Sequence, residues 1–245
     1  ATVSPDRLAD VAWMDILRDT VLTSLVRVAV QQNRDVALAR ARISEFRAQL
    51  DWLTQRGARF VSLETVQQTL LGKRKPLGPE IAITFADNYE GFIRYAWPEL
   101  KQRGIPVTQF AHTDYVGARN GRPKATIVAL KQALQSPLFR VESQTCSHPE
   151  SLAQLSDRLL QRELVDSKRW IQRNLGVQPT FIAYPNGKFD ARVKRAAQAA
   201  GYAMGFSEEQ RPAERSPDRF EVARYVHTKY REAWAAIAPA KKRKK

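Results

Sequence analysis

Apolar positions in the first 57 residues recur at three- and four-residue steps. Leu22, Leu25, Val26, Val28, Ala29 and Val30, then Val36, Leu38, Ala39, Ile43, Phe46 and Leu50, make stripes of helical period. The pattern predicts helix entered at Ser4-Pro5-Asp6, divided near Asn33-Arg34-Asp35 with Asn33 or Asp35 as a cap, and ended by Gly57. Beyond it, short β-branched and aromatic runs alternate with longer amphipathic ones. Strands are expected at 81–85, 107–110, 138–142, 179–183, 203–206 and 221–225, and helices near 89–103, 124–135, 150–174, 190–200 and 229–237. Such alternation predicts an α/β fold with a mostly parallel sheet, closed or nearly closed.

The run Ile81-Ala82-Ile83-Thr84-Phe85-Ala86-Asp87 stands out within this pattern. It is bounded upstream by Pro76, Gly78 and Pro79, reads as a buried parallel strand, and stops on a carboxylate. Barrels and open parallel sheets place their chemistry at the carboxyl ends of strands, which puts Asp87 in position to act.

Composition adds bounds. A chain of 245 residues, 43% hydrophobic, can bury one large core, alone or with a helical extension. Its single cysteine, Cys146, cannot form an internal disulfide. No run reaches the roughly 18 apolar residues of a membrane-spanning helix, so no transmembrane segment is expected; no signal peptide opens the chain, and its start is expected to be a mature one. The net charge of +15 favours anionic neighbours, and Lys241-Lys242-Arg243-Lys244-Lys245 is expected to be a disordered basic arm able to touch an anionic polymer. No glycine-rich phosphate loop or nucleic-acid reader motif accompanies that charge.

Phe46-Arg47-Ala48-Gln49-Leu50-Asp51-Trp52-Leu53, Gly57, Val61-Ser62-Leu63, Ile83-Thr84-Phe85 with Asp87, Pro98-Glu99-Leu100, Gly104-Ile105-Pro106-Val107-Thr108, Phe110, Ser147-His148-Pro149, Glu163-Leu164-Val165 with Ser167-Lys168, Ala183-Tyr184-Pro185-Asn186-Gly187 and Gly201-Tyr202 follow one another in a recognisable order. Over about residues 46–227 the chain resembles polysaccharide deacetylases of the NodB-homology, carbohydrate esterase family 4 type. The resemblance implies a distorted, incomplete (β/α) barrel and a periplasmic or extracellular setting. It also implies an N-acetylated polysaccharide or peptidoglycan-type glycan as partner, and a divalent metal, zinc or cobalt. The expected organisation is a helical extension at 1–45, the deacetylase-like domain at 46–238 and the basic tail at 239–245. Within residues 1–50, Trp13, Asp19, Leu22, Gln32 to Ala39 and Ala41-Arg42-Ile43 resemble the start of outer-membrane efflux factors, although nothing downstream supplies the strands of an efflux duct.

Deacetylation needs a polarised amide, a base for the attacking water and an acid for the leaving amine. Against the family's Thr-Phe-Asp-Asp, this chain has Thr84-Phe85-Ala86-Asp87. The metal-ligand position is kept as Asp87, and the base position is Ala86, whose methyl group cannot accept a proton. Where the family carries two ligating histidines, Gln144 replaces the upstream one and His148 keeps the other. An amide oxygen is a poorer zinc ligand than imidazole, so a metal would be held weakly. The resemblance further assigns an oxyanion-binding backbone N–H at Asn186, substrate contact to Tyr184 and a general acid to His227. His112 is expected at the rim as a substrate contact, and Cys146 as inert packing. The family's first strand, with its Tyr-His pair, corresponds here to the helical Val28–Arg34 stretch. The expected outcome is an impaired or glycan-binding relative. The alternatives are an active enzyme borrowing Asp114, Glu142 or Glu90 as its base, and a basic polyanion-binding protein.

Overall fold

A computed structural model describes residues 19–32 and 34–238; the Ser4-Pro5-Asp6 entrance, the Asn33 cap and the 239–245 tail lie outside the described residues. The chain forms two compact units, residues 1–50 and 51–245. In the first, helix α1 (Thr20–Gln32) is capped by Asp19, whose Oδ1 accepts from the N–H groups of Val21 at 2.9 Å and Leu22 at 3.0 Å. Helix α2 (Arg34–Gln55) begins in this unit and ends in the next. Gly57, at φ 83°, adopts the left-handed conformation that closes it. The stretch where relatives carry a first barrel strand is helical on both sides of residue 33.

The second unit contains two parallel sheets. Strands β1 (Arg59–Phe60) and β2 (Glu80–Ile81) form a small pair. The main sheet runs in sequence order through β3 (Ile83–Phe85), β4 (Val107–Ala111), β5 (Phe139–Ser143), β6 (Phe181–Ala183) and β7 (Met204–Phe206), all parallel and curled into a half-barrel. The connecting helices are α3 (Leu63–Leu70), α4 (Trp97–Gln102), α5 (Ile127–Ala133), α6 (Asp157–Gln161), α7 (Ser167–Leu175) and α8 (Ala191–Ala199), with α9 (Tyr230–Ile237) last. Ser62, Thr126, Ser156 and Asp190 begin four of these by accepting a backbone N–H three residues on, as short polar side chains do at helix entrances. The expected α/β incomplete barrel is the fold observed.

The strand expected at 221–225 shrinks to one bridge, Phe206↔Val222. The N–H groups on either side of Val222 are taken elsewhere: Phe220 by Asp218 Oδ1 at 2.6 Å, Glu221 by the Asp218 carbonyl, Ala223 by Ser216 Oγ at 2.9 Å and Arg224 by Glu209 O at 3.0 Å. Just beyond, Arg224 donates to Ser207 O at 3.0 Å and reaches Thr84 Oγ1 at 3.4 Å, spanning the open seam between β7 and β3.

β6 is buried on both faces, so its side chains alternate between two cores. Phe181 and Ala183 join Phe110, Met204 and Phe206 inside the half-barrel, whereas Ile182 and Tyr184 join Leu160, Leu164, Val193 and Tyr202 under the helices. Tyr184, expected to line the substrate, is therefore fully buried. Its hydroxyl donates to Phe220 O at 2.9 Å, and it passes under Gly205, where an added Cβ would lie 2.2 Å from that hydroxyl. It is a core residue with a satisfied polar end, not a substrate contact.

Two buried carboxylates tie the architecture together. β5 and β6 share a single register pair, Ser143↔Ile182, and Glu142 Oε2 supplements it by accepting the N–H groups of Thr180 at 2.6 Å and Phe181 at 2.8 Å. Glu163 Oε2 accepts the N–H groups of Cys146 at 2.8 Å and Ser147 at 2.9 Å, and its Oε1 accepts the Ser147 hydroxyl at 2.7 Å, fixing the loop that carries His148. Burial pushes the Glu142 carboxyl up to about 7 against the opposing pull of its two N–H donors and Arg140, 3.6 Å away. A carboxyl raised in the fold stabilises fully below its unfolded value near 4.5 and loses that contribution as pH climbs through about 7.

Urea unfolding from pH 4.5 to 7 should therefore show wild type losing ~2–3 kcal/mol that Glu142→Gln does not lose. Parallel pH profiles for the two proteins would contradict this. Glu163→Ala should cost about 2–4 kcal/mol, because it strands buried N–H groups, and should speed amide exchange at Cys146 and Ser147. Unchanged exchange at both positions would contradict its role as the anchor of the loop.

Candidate active site

Asp87 follows β3, His112 follows β4, Gln144 and His148 follow β5, and Asn186 follows β6, so the carboxyl ends of four adjacent strands meet here. Among the described residues, five other than glycine adopt left-handed backbone: Asp87 (φ 67°), Asn88 (38°), Thr145 (69°), His148 (52°) and Asn186 (54°). Each lies just past one of these strands. Such conformations cost on the order of 1 kcal/mol apiece and persist where surrounding bonds over-determine them, a pattern concentrated at functional sites. The holding bonds are visible. Asp87 N–H donates to Gln144 Oε1 at 2.8 Å, Gln144 N–H to Ala111 O at 2.8 Å, and Thr145 N–H to Ser143 Oγ at 3.1 Å. Thr113 and Asp114 donate in turn to the carbonyls of Thr145 and Cys146.

Asp87 and His148 face one another, with Oδ1 and Nε2 3.7 Å apart and side chains about a third and a quarter exposed. Behind them lies His112, its ring 5.4 Å from that of His148 and almost wholly buried. It forms the floor of the mouth where a rim residue was expected, because the fully buried β4 carries it inward and its backbone N–H is held by Asn88 Oδ1 at 3.2 Å. Burial, reinforced by Lys124, pushes His112 down to about 4, so the ring is neutral at physiological pH. Its Nε2 lies 3.1 Å from both Asp87 O and Lys124 Nζ, and its Nδ1 has no hydrogen-bond partner among the described residues.

Lys124 is the cation of this mouth. Its Nζ donates to Asp87 O at 2.9 Å and sits 3.8 Å over the Tyr89 ring, and burial holds the ammonium below the usual lysine range. Its backbone is clamped to the loop after β3 by Ala125 N–H to Asn88 O and Glu90 N–H to Pro123 O, with a Tyr89↔Lys124 bridge between them.

The remaining residues singled out from sequence divide. Ala86 is half-buried beside Asp87. Gln144 is in the site, but its buried amide oxygen accepts the Asp87 N–H, which makes it a backbone support where a metal ligand was expected. Asn186 is exposed in its turn, its side chain donating to Glu150 O at 3.2 Å. His227 is exposed at the start of a short 3-10 turn (His227–Lys229). Cys146 is buried and its thiol is pushed up to about 12, as inert packing requires. Sequence reasoning did not single out Lys124, Asn88 or the anchoring part of Glu163. None left a local signal: Glu163 sits between Arg162 and Asp166 in an ordinary amphipathic run.

A three-ligand zinc site needs three convergent donors. Asp87 and His148 supply two, the Gln144 oxygen is engaged by a backbone N–H, and no group of three histidine, cysteine, aspartate or glutamate side chains capable of holding a metal occurs among the described residues. These side chains do not fit such a site.

The sequence model of the polysaccharide deacetylase family matches residues 73–205. The chain is 27% identical over 213 residues to YxkH of Bacillus subtilis (strain 168), covering 87% of this chain and 74% of that protein. It is 27% identical over 194 residues to the poly-beta-1,6-N-acetyl-D-glucosamine N-deacetylase of Staphylococcus aureus (strain N315), covering 75% of this chain and 66% of that enzyme. The structure of IcaB from Ammonifex degensii superposes with a TM-score of 0.73 at 25% identity, over 80% of this chain and 89% of that one. No helix among the described residues is long and apolar enough to cross a membrane. With a family match spanning more than half its length and the strand-end site in place, this chain belongs to the polysaccharide deacetylase family.

Proposed function

We propose that this protein is a polysaccharide deacetylase relative whose cleft holds an N-acetylated glycan of the poly-N-acetylglucosamine or peptidoglycan type, outside the cytoplasm, with hydrolysis lost or severely impaired. The observation that carries the reading is the state of the Asp87–His148 pair. The two side chains converge, yet the neighbouring base position is Ala86 and the neighbouring amide, Gln144, is engaged by the Asp87 backbone. Losing a positioned base alone typically costs about 10²- to 10⁴-fold in rate.

The three carboxylates considered as a substitute base are each engaged elsewhere. Glu90 pairs with Arg119, Asp114 lies 3.5 Å from Arg162, and Glu142 is sealed against the N–H groups of Thr180 and Phe181. What the site retains suits binding. The backbone N–H at Asn186, in its left-handed turn after β6, would meet the carbonyl oxygen of an acetyl group, and Asp87 and His148 would offer partners to sugar hydroxyls. The deacetylase-like domain would then comprise residues 46–238.

Acetate release from N-acetylglucosamine oligomers, measured with and without zinc or cobalt, tests the reading. Wild type should release none above buffer. Ala86→Asp with Gln144→His should bind zinc at least about tenfold more tightly and gain measurable hydrolysis. Chelator-sensitive turnover by wild type would overturn the proposal, and background metal content in the double variant would overturn the assignment of positions 86 and 144.

A further inference from the structure

The mouth contains a cation supplied by the chain itself. The placement of Lys124 is built by the backbone around it. Its backbone N–H donates to Ala118 O at 2.9 Å, the next residue donates to Asn88 O at 2.8 Å, and its stem lies along Tyr89. The ammonium ends against two acceptors of the site, Asp87 O at 2.9 Å and His112 Nε2 at 3.1 Å. The His112 ring on which it rests is 5.4 Å from that of His148, and His148 Nε2 is 3.7 Å from the Asp87 carboxylate. A positive charge is thus fixed within a few ångströms of the two side chains that would hold a divalent ion.

Three consequences follow from Coulomb's law and from donor chemistry. The ammonium, held on the Asp87 backbone carbonyl, is attracted by the Asp87 carboxylate and so supplies positive charge beside it. It repels a divalent cation approaching the Asp87–His148 pair, in a mouth sheltered enough for charges to be felt more strongly than in bulk water. It also occupies Nε2 of His112, the imidazole whose ring lies 5.4 Å from that of His148. We propose that Lys124 is the resident cation of the site, a lysine ammonium that takes over charge compensation from a metal and excludes divalent ions from the Asp87–His148 pair. This deepens the reading of a non-hydrolytic glycan cleft, for it makes that cleft metal-independent by construction and not merely short of one ligand.

The test is zinc titration by calorimetry on the full chain, comparing wild type with Lys124→Met and Lys124→Arg. Methionine keeps the stem over Tyr89 without charge, and arginine keeps the charge. Lys124→Met should bind zinc about tenfold more tightly than wild type, while Lys124→Arg should stay as weak as wild type. Equal affinities in all three proteins would overturn the proposal, as would tight stoichiometric zinc in wild type. If Lys124→Met does not fold, Lys124→Gln takes its place and is read in the same way. Binding of N-acetylglucosamine oligomers to wild type should be the same with and without chelator; binding abolished by chelator would overturn metal independence. Acetate release by wild type would sink the non-hydrolytic reading while leaving the zinc comparison to decide the part played by Lys124.

Discussion

One hydrogen bond organises both the strength and the weakness of this site, the one from the Asp87 backbone N–H to the Gln144 side chain. It joins the ends of β3 and β5 across the top of β4, 57 residues apart in sequence, and helps hold Asp87 at a positive φ. That conformation turns the carboxylate toward His148. The same bond engages the amide oxygen that was expected as a further metal ligand, so Asp87 and His148 face one another while the Gln144 oxygen is held by backbone.

Support for the mouth is layered outward from that bond. Glu163 holds the loop of His148 by three hydrogen bonds, Asn88 fixes the backbone of His112, and Lys124 ties the loop after α4 and β4 back to Asp87. Burial works in the same direction. It keeps His112 neutral beside an ammonium, since two cations 3.1 Å apart in a sheltered place would repel. The preorganisation is that of a binding site, with a hydrogen-bond donor, a carboxylate and an imidazole fixed at strand ends around a mouth.

Much of the fold was legible because strands buried on both faces read as unbroken apolar runs and the helices between them keep a 3.6-residue stripe. The same feature hid Tyr184. In Phe181-Ile182-Ala183-Tyr184 no alternation of polarity marks which face looks into the barrel, and only the packing under Gly205 decides it. The strand expected at 221–225 failed because the N–H groups flanking Val222 are captured by Asp218, Ser216 and Glu209. Asp87 was found from its place at a strand end and His148 from the family resemblance, whereas the use of Gln144 as a backbone acceptor depends on a contact no local pattern encodes. Lys124 was invisible for a compositional reason. In the loop Arg119-Asn120-Gly121-Arg122-Pro123-Lys124 of a strongly basic chain, one more cation carries no signal until the backbone bridge to Tyr89 gives it a direction.

The central claim is geometric, and a crystal structure of the protein soaked in millimolar zinc tests it most directly. The account predicts Gln144 Oε1 still on the Asp87 N–H, Asp87 facing His148, and no anomalous peak at the zinc edge between them. Gln144 swung free of Asp87, with a tetrahedral ion bound by it, Asp87 and His148, would contradict the account.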